Sequence, residues 1–166
     1  VSILLLGVLE LHDAQRFEII AFDFGPAQDS AIRSRLAKAC ARFIDVSQMT
    51  DQEVVHLSRE MGIDVAVDLM GRTRRARPEL FVMRVAPIQV GYLGYPMTMG
   101  SPCSLDYLVA DKHVVPDSQR AHYAEALVYM PGSVLPNDCR RALSQESPSR
   151  AACGLPDDGL VFGAFN

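Results

Sequence analysis

The sequence predicts an α/β fold in which a Rossmann-like parallel sheet is covered by helices on both faces. Apolar segments rich in β-forming residues alternate with helical segments at steps of roughly 20 residues, which is the pattern of βαβ units. Such continuous apolar segments, mostly closed by glycine, proline or aspartate, are typical of buried strands. The predicted strands are 17–24, 43–46, 63–69, 88–93, 105–110 and 126–130.

Helix signals lie between these strands. Thr50 is followed three residues later by Glu53, and this capping box predicts a helix over 51–61. Another helix begins at Asp29 or Ser30, either of which can cap it, and its apolar residues recur at helical spacing. The remaining predicted helices are 2–11 and 78–84. The alternation of these helices with the strands predicts crossover connections rather than hairpins.

Composition excludes several classes of protein. The chain has 166 residues, 49% of them hydrophobic and 22% charged, which is the balance of a soluble globular domain. A net charge of −4 argues against nucleic-acid binding by the whole surface. The apolar segment 2–11 is too short to span a bilayer and lacks the features of a signal peptide, so no membrane association is expected.

The cysteines and histidines favour a cytoplasmic protein without a metal site. The four cysteines include no C-x-x-C pair, and a core this apolar does not require disulfides, so we expect reduced thiols. The four histidines show no H-x-x-x-H spacing and no nearby set of acidic or thiol ligands. No cofactor motif accompanies them.

The ends of the chain suggest a fragment truncated on both sides. The sequence begins without methionine inside an apolar segment and ends on an apolar segment with no turn after it. We expect residues 1–130 to form one partial lobe and the polar, proline-rich segment 131–159 to be a linker. Residues 160–166 are expected to begin a second lobe.

One segment, 65–100, is the strongest candidate for a binding site. Four arginines follow one predicted strand, at 72, 74, 75 and 77, and a Gly-Tyr-Pro turn follows the next strand at 94–96. Arginine forks match phosphate oxygens, and glycine lets backbone N–H groups approach them. The competing interpretation is a solvated basic loop beside an ordinary turn, since neither half has P-loop or G-x-G-x-x-G spacing. Asp68 either binds a ligand hydroxyl or arginine, or is satisfied by backbone N–H groups.

The same segment resembles a known family. Residues 68–100 read DLMGRTRRARPELFVMRVAPIQVGYLGYPMTMG. They are similar to the catalytic region of the O-linked N-acetylglucosamine transferase and SPINDLY family, glycosyltransferase family 41, where the pattern is approximately D-L-x-G-Y-T-x-x-A-R, R-P-A-P-I-Q and L-G-Y-P-G-T-x-G. The likeness continues through 105–138 and 153–166, so it covers nearly the whole chain.

The resemblance implies the first lobe of a GT-B glycosyltransferase that uses a nucleotide sugar to modify Ser or Thr of proteins. The donor it implies is UDP-N-acetylglucosamine, with GDP-fucose as the alternative, and no metal or cofactor is required. Tetratricopeptide repeats upstream would recruit the protein acceptor. Arg77, Gly94 and Pro96 would line the pyrophosphate side of the donor site, while Tyr95 and Thr98 match the same motif.

The resemblance also implies that the fragment alone is inactive. The family's catalytic histidine would precede Val1, and its phosphate-binding lysine would follow Asn166. Three residues depart from the family pattern: Met97 replaces glycine, Arg72 replaces tyrosine and Val85 replaces proline. Met97 puts donor choice or affinity in doubt. A non-catalytic nucleotide- or phosphoprotein-binding module stays open as an alternative, and RNA binding through the arginines is disfavoured by the acidic balance.

Overall fold

The computed structural model describes residues 2–25, 30–94, 96–101, 103–140 and 145–163. Four α-helices occur in these ranges: α1 Ser2–Glu10, α2 Ala31–Ala39, α3 Asp51–Glu60 and α4 Glu79–Val82. The strands there are β1 Ile20–Asp23, β2 Arg42–Asp45, β3 Val65–Asp68, β4 Ile88–Gly91, β5 Tyr107–Ala110 and β6 Ala126–Tyr129. Two 3₁₀ segments span Asp117–His122 and Ala151–Cys153. The described helices are all too short to cross a membrane.

All the described strands are parallel, as the alternating pattern predicts. They form two separate sheets, β1-β2 and β3-β4-β5-β6, rather than one continuous sheet. The α/β fold class is therefore confirmed, and the division of the sheet is a difference from the prediction. It arises because β1 and β3 do not hydrogen-bond to each other.

The helix starts follow the capping signals. Thr50 Oγ1 accepts the N–H of Glu53 at 3.3 Å, and Glu53 Oε2 accepts the N–H of Thr50 at 2.7 Å, which completes the predicted capping box of α3. Ser30 caps α2 by accepting the N–H of Arg33 at 3.1 Å. The other predicted cap, Asp29, lies outside the described residues. These bonds satisfy helix N–H groups that have no partner within the helix.

A hydrophobic core lies beneath both sheets on the side of α3 and α4. Its buried residues are Val46, Val54, Val55, Leu80, Phe81, Val85, Met99 and Leu105. Phe22 of β1, Ile44 of β2 and Ala66 of β3 pack against this cluster. The two sheets therefore share one layer, and α3 and α4 cover the same face of each.

Helices α1 and α2 lie on the opposite face of β1 and β2. The guanidinium of Arg33 in α2 lies 5.0 Å from the ring centroid of Phe43, whose strand neighbour Ile44 faces the core. Arg33 also pairs with Asp23 at the end of β1 at 2.8 Å. Helix α1 packs beside α2, and Arg35 of α2 pairs with Glu10 of α1 at 3.0 Å.

On the larger sheet, the face opposite α3 and α4 is apolar and half-exposed. In the strand register Val65 lies beside Ile88, and Val67 beside Val90, which lies beside Tyr107. Val65, Val67, Ile88 and Tyr107 are 41–47% exposed. Their neighbour Ala66 faces the core, so these side chains lie on the opposite face of the sheet.

The first part of the predicted linker contacts the lobe. The N–H of Val134 donates to Asp111 Oδ2 at the end of β5 at 2.7 Å. Asp138 pairs with Arg35 at 3.1 Å and packs against Gly7 of α1. Residues 145–163 are exposed, and 160–163 form no strand, while 164–166 lie outside the described residues. The predicted second-lobe strand therefore stays a prediction.

Candidate functional site

The candidate site is the edge of the larger sheet where its parallel strands end. The strands end at Asp68, Gly91, Ala110 and Tyr129. The loops that follow β3 and β4 are the two halves of the segment that the sequence singles out. They contact each other directly, since Arg72 Nη2 donates to the carbonyl of Met99 at 2.7 Å. In open α/β sheets this carboxyl edge is where ligands bind.

Gly94 lies where the two loops approach most closely. A Cβ atom at this position would lie 2.6 Å from the carbonyl carbon of Met70 and 2.7 Å from the carbonyl oxygen of Leu69. Real Cβ atoms do not come so close to backbone atoms, so only glycine fits without a shift of one loop. The close approach of the two loops thus explains why position 94 is a glycine. Its role in donor binding stays a prediction.

The loop after β4 is fixed by contacts from the segment just before β6. Glu125 Oε1 accepts the N–H of Met99 at 2.7 Å, and Tyr123 Oη donates to the carbonyl of Pro96 at 3.1 Å. Thr98 Oγ1 accepts the N–H of Gly100 at 2.9 Å. These bonds position the backbone of residues 96–100. Tyr95, the centre of the predicted turn, lies outside the described residues.

Glu125 is a site residue that the sequence interpretation missed. It is 6% exposed and directly precedes β6. Its second oxygen, Oε2, is buried and has no hydrogen-bond partner within the described ranges. The sequence signal was a glutamate placed directly before an apolar strand. A buried acidic side chain needs polar partners, so this position could have been predicted to hold a neighbouring segment.

Arg77 is anchored inside the protein. Its Nε donates to Asp51 Oδ1 at 2.6 Å, and its Nη2 donates to the carbonyl of Met49 at 2.8 Å. Its Nη1 donates to the carbonyl of Val46 at 3.3 Å, and the side chain is 17% exposed. The guanidinium thus ties the loop after β3 to the turn between β2 and α3. No contact of Arg77 tests donor binding, which stays a prediction.

One of the two carboxylate oxygens of Asp68 is satisfied by backbone N–H groups, as one of the two interpretations of the sequence predicted. Oδ1 accepts the N–H groups of Met70 and Gly71 at 2.9 and 3.0 Å, which shapes the start of the loop. The residue is 6% exposed. Oδ2 is buried and lacks a hydrogen-bond partner in the part of the chain that the structure describes. A donor from a ligand or from another segment would satisfy it.

Two exposed arginines lie at the tip of the loop after β3. Arg74 and Arg75 are both exposed, and Arg75 has a φ of 68°. Leu93, in the loop after β4, has a φ of 72°. A non-glycine residue in this left-handed region costs about 1–3 kcal/mol, and such strain concentrates at functional sites. These two positions lie at the predicted edge of the sheet, whereas a third such residue, Arg84 with a φ of 57°, lies in the turn between α4 and β4.

Asp111 fixes the next loop along the edge. Its Oδ1 accepts the N–H groups of His113 and Val114 at 2.8 Å each, and its Oδ2 accepts that of Val134. These backbone hydrogen bonds, the one from Val134 foremost, lower the pKa of the Asp111 carboxyl. The carboxylate therefore holds the end of β5 and the segment after β6 together.

The three departures from the family pattern have different surroundings. Arg72 holds the carbonyl of Met99, and Val85 is buried in the core beside α4. Met97 is 37% exposed at the edge of the sheet.

Among the described residues there is no group of three histidine, cysteine, aspartate or glutamate side chains that could hold a metal ion.

Comparison with known proteins matches this geometry to one class. The sequence profile of the family described as Glycosyl transferase family 41 matches residues 1–147. The solved structure described as Thermobaculum terrenum O-GlcNAc transferase mutant K341M is similar, with a TM-score of 0.75 and 35% identity. The similarity covers 80% of this chain and 25% of that one. The fold is thus that of a GT-B-type glycosyltransferase lobe.

Sequence relatives agree with the structural neighbour. The Arabidopsis thaliana protein described as probable UDP-N-acetylglucosamine–peptide N-acetylglucosaminyltransferase SEC is 34% identical over 99% of this chain and 17% of its own length. The Petunia hybrida protein described as the probable transferase SPINDLY is 27% identical over the whole chain and 18% of its own length. This chain belongs to glycosyl transferase family 41 and spans less than a fifth of these relatives.

Proposed function

We propose that the longer protein containing this chain is a protein O-glycosyltransferase, and that this chain supplies most of its first lobe. The proposed reaction transfers N-acetylglucosamine from UDP-N-acetylglucosamine to Ser or Thr hydroxyls of proteins. The observation that carries the proposal is the family match over residues 1–147. The relatives named for this activity on a peptide acceptor support the donor and the acceptor class.

The geometry supports a donor site at the carboxyl edge of the larger sheet. Sugar transfer leaves negative charge on the departing diphosphate, and prearranged N–H donors and cations stabilise that charge. The loop over residues 96–100 is held in place, and Arg74 and Arg75 are exposed nearby. We assign the pyrophosphate side of the site to this edge. Its proposed residues are Arg77, Gly94, Tyr95, Pro96 and Thr98.

The proposal includes no metal or cofactor, because cationic and backbone donors can neutralise the diphosphate on their own. It also includes a cytoplasmic location and tetratricopeptide repeats that present the acceptor. The catalytic histidine and the phosphate-binding lysine belong to segments outside residues 1–166.

The test is a transfer assay on the full-length protein. It is incubated with Ser- and Thr-containing peptides, a metal chelator, and either UDP-N-acetylglucosamine or GDP-fucose. Mass spectrometry should find N-acetylhexosamine on a peptide hydroxyl despite the chelator. If fucose is the only sugar transferred, GDP-fucose replaces UDP-N-acetylglucosamine as the donor. If the protein binds the nucleotide but transfers no sugar, the non-catalytic binding module is favoured. The isolated 166-residue chain should transfer nothing, because one lobe cannot hold donor and acceptor in line.

A further inference from the structure

The hydroxyl oxygen of Thr98 accepts hydrogen bonds from two backbone N–H groups. Thr98 Oγ1 accepts the N–H of Gly100 at 2.9 Å and the N–H of Ala124 at 3.4 Å. A threonine hydroxyl has two lone pairs and one hydrogen, so these bonds use its capacity as an acceptor. Its remaining capacity is donation, and no described residue accepts the hydrogen. The hydroxyl is therefore a hydrogen-bond donor in a fixed position.

Arg72 holds the peptide group that donates to Thr98. The N–H of Gly100 and the carbonyl of Met99 belong to the same planar peptide group, and they point in opposite directions. Arg72 Nη2 donates to that carbonyl at 2.7 Å, and a charged donor makes this a strong hydrogen bond. The guanidinium and the Thr98 oxygen thus hold opposite ends of one peptide group. Arg72 therefore sets the direction of the N–H that Thr98 accepts.

Met99 and the segment before β6 hold the same loop from other sides. The Met99 side chain is 6% exposed and belongs to the hydrophobic core, and Glu125 Oε1 accepts its N–H at 2.7 Å. Ala124, which donates to Thr98, directly precedes Glu125. The Thr98 hydroxyl is thus placed by backbone groups from two segments. A donor held in this way needs no rearrangement to bind a ligand.

We propose that the Thr98 hydroxyl donates a hydrogen bond to a diphosphate oxygen of the nucleotide sugar, and that Arg72 positions it through the peptide group between Met99 and Gly100. Ionised phosphate oxygens accept hydrogen bonds, so they match a hydroxyl that is left to donate. Thr98 is half-buried in the loop after β4, at the edge where α/β sheets bind ligands. The inference rests on the proposed function, because it needs a nucleotide sugar at this edge. Arg72 stands where the family pattern has tyrosine, so the guanidinium link is a feature of this chain.

Binding of UDP to variants of the full-length protein tests the role of Thr98. Thr98→Val keeps the shape of the side chain and removes the hydroxyl, so the Kd for UDP should rise about tenfold. The Kd for uridine, measured as a competitor of UDP, should not change, because uridine has no phosphate. Thr98→Ser keeps the hydroxyl and should bind UDP like the wild type. An equal loss in the Thr98→Ser and Thr98→Val variants, or an equal loss for UDP and uridine, would overturn the proposal.

A double-mutant cycle tests whether Arg72 acts through Thr98. Arg72→Ala should raise the Kd for UDP about tenfold in the wild-type background but about twofold at most beside Thr98→Val. Arg72→Lys keeps a donor for the carbonyl and should restore most of the affinity. Arg59→Ala is the matched control and should leave the Kd unchanged, because Arg59 Nη2 holds the carbonyls of Met83 and Arg84 at 2.6 and 3.0 Å at the end of α3. Additive effects of Arg72→Ala and Thr98→Val would refute the positioning role.

Failure of this inference can be told apart from failure of the proposed function. If the wild-type protein binds UDP and transfers sugar while the Thr98→Val and Arg72→Ala variants keep their affinity, the proposed function stands and the inference is wrong. If the folded wild-type protein binds no UDP, the proposed function is wrong and the inference with it.

Discussion

Gly94 contacts the backbone of the neighbouring loop so closely that no side chain fits there. Gly94→Ala should lower the free energy of unfolding by about 1–3 kcal/mol, because the added methyl group forces the two loops apart. Gly132→Ala is the matched control, since a Cβ atom there meets nothing within 4 Å. Urea denaturation of the full-length protein measures both changes. Equal stability of the two variants would show that the loops do not approach as described.

Arg77 anchors the loop after β3, and it is also proposed to bind the diphosphate of the donor. Two substitutions can separate these roles. Arg77→Ala in the full-length enzyme should raise the KM for the donor about tenfold more than Asp51→Ala does, if the guanidinium also binds the diphosphate. Asp51→Ala removes the anchoring carboxylate and keeps the arginine, so it reports the cost of loosening the loop. Equal effects on KM would assign Arg77 to loop anchoring and remove it from the donor site.

The sequence singled out Gly94 and Arg77 at the edge, but it indicated neither Glu125 nor the partners of these residues. Glycine at 94 and arginine at 77 stand out by residue type within a motif. The partners Asp51 and Arg77 are 26 residues apart, and so are Met99 and Glu125. Nothing in local pattern or spacing specifies such long-range pairs, since they form only when the sheet brings the loops together.

At the scale of elements, Asp111 links the end of β5 to the segment after β6. Because the folded state lowers the pKa of this carboxyl, its contribution to stability is present above about pH 4 and is lost as the pH falls below that value. Asp111→Asn should therefore lower stability at pH 7 and flatten the loss of stability at acid pH. Thermal unfolding of the full-length protein between pH 7 and pH 3 measures this. An unchanged pH profile would contradict the assignment.

Strands and capped helices were predictable because their signals are local. The apolar segments gave the positions of β1 to β6, and the capping box gave the start of α3. The division of the sheet was not predictable in this way. Whether a strand edge is paired depends on which strand lies beside it, and the sequence of β1 or β3 carries no record of that neighbour.

At the scale of the whole molecule, the described residues form a lobe with two parallel sheets and a proposed ligand-binding edge. The loops after β3 and β4 meet at that edge. This contact supports the proposal that the nucleotide binds at the carboxyl ends of the strands. The surface formed by Gln52, His56, Arg59 and Met83 is the comparison region, since it belongs to α3 and to the residue that follows α4.

The most direct test of the donor site is hydrogen exchange of the full-length protein with and without saturating UDP. We predict that UDP slows exchange in residues 69–77 and 92–101, because in the proposed site these loops line the diphosphate. The surface of α3 around His56 should show no change. Slowed exchange at that surface, with both loops unaffected, would contradict the placement of the donor site at the carboxyl edge of the sheet.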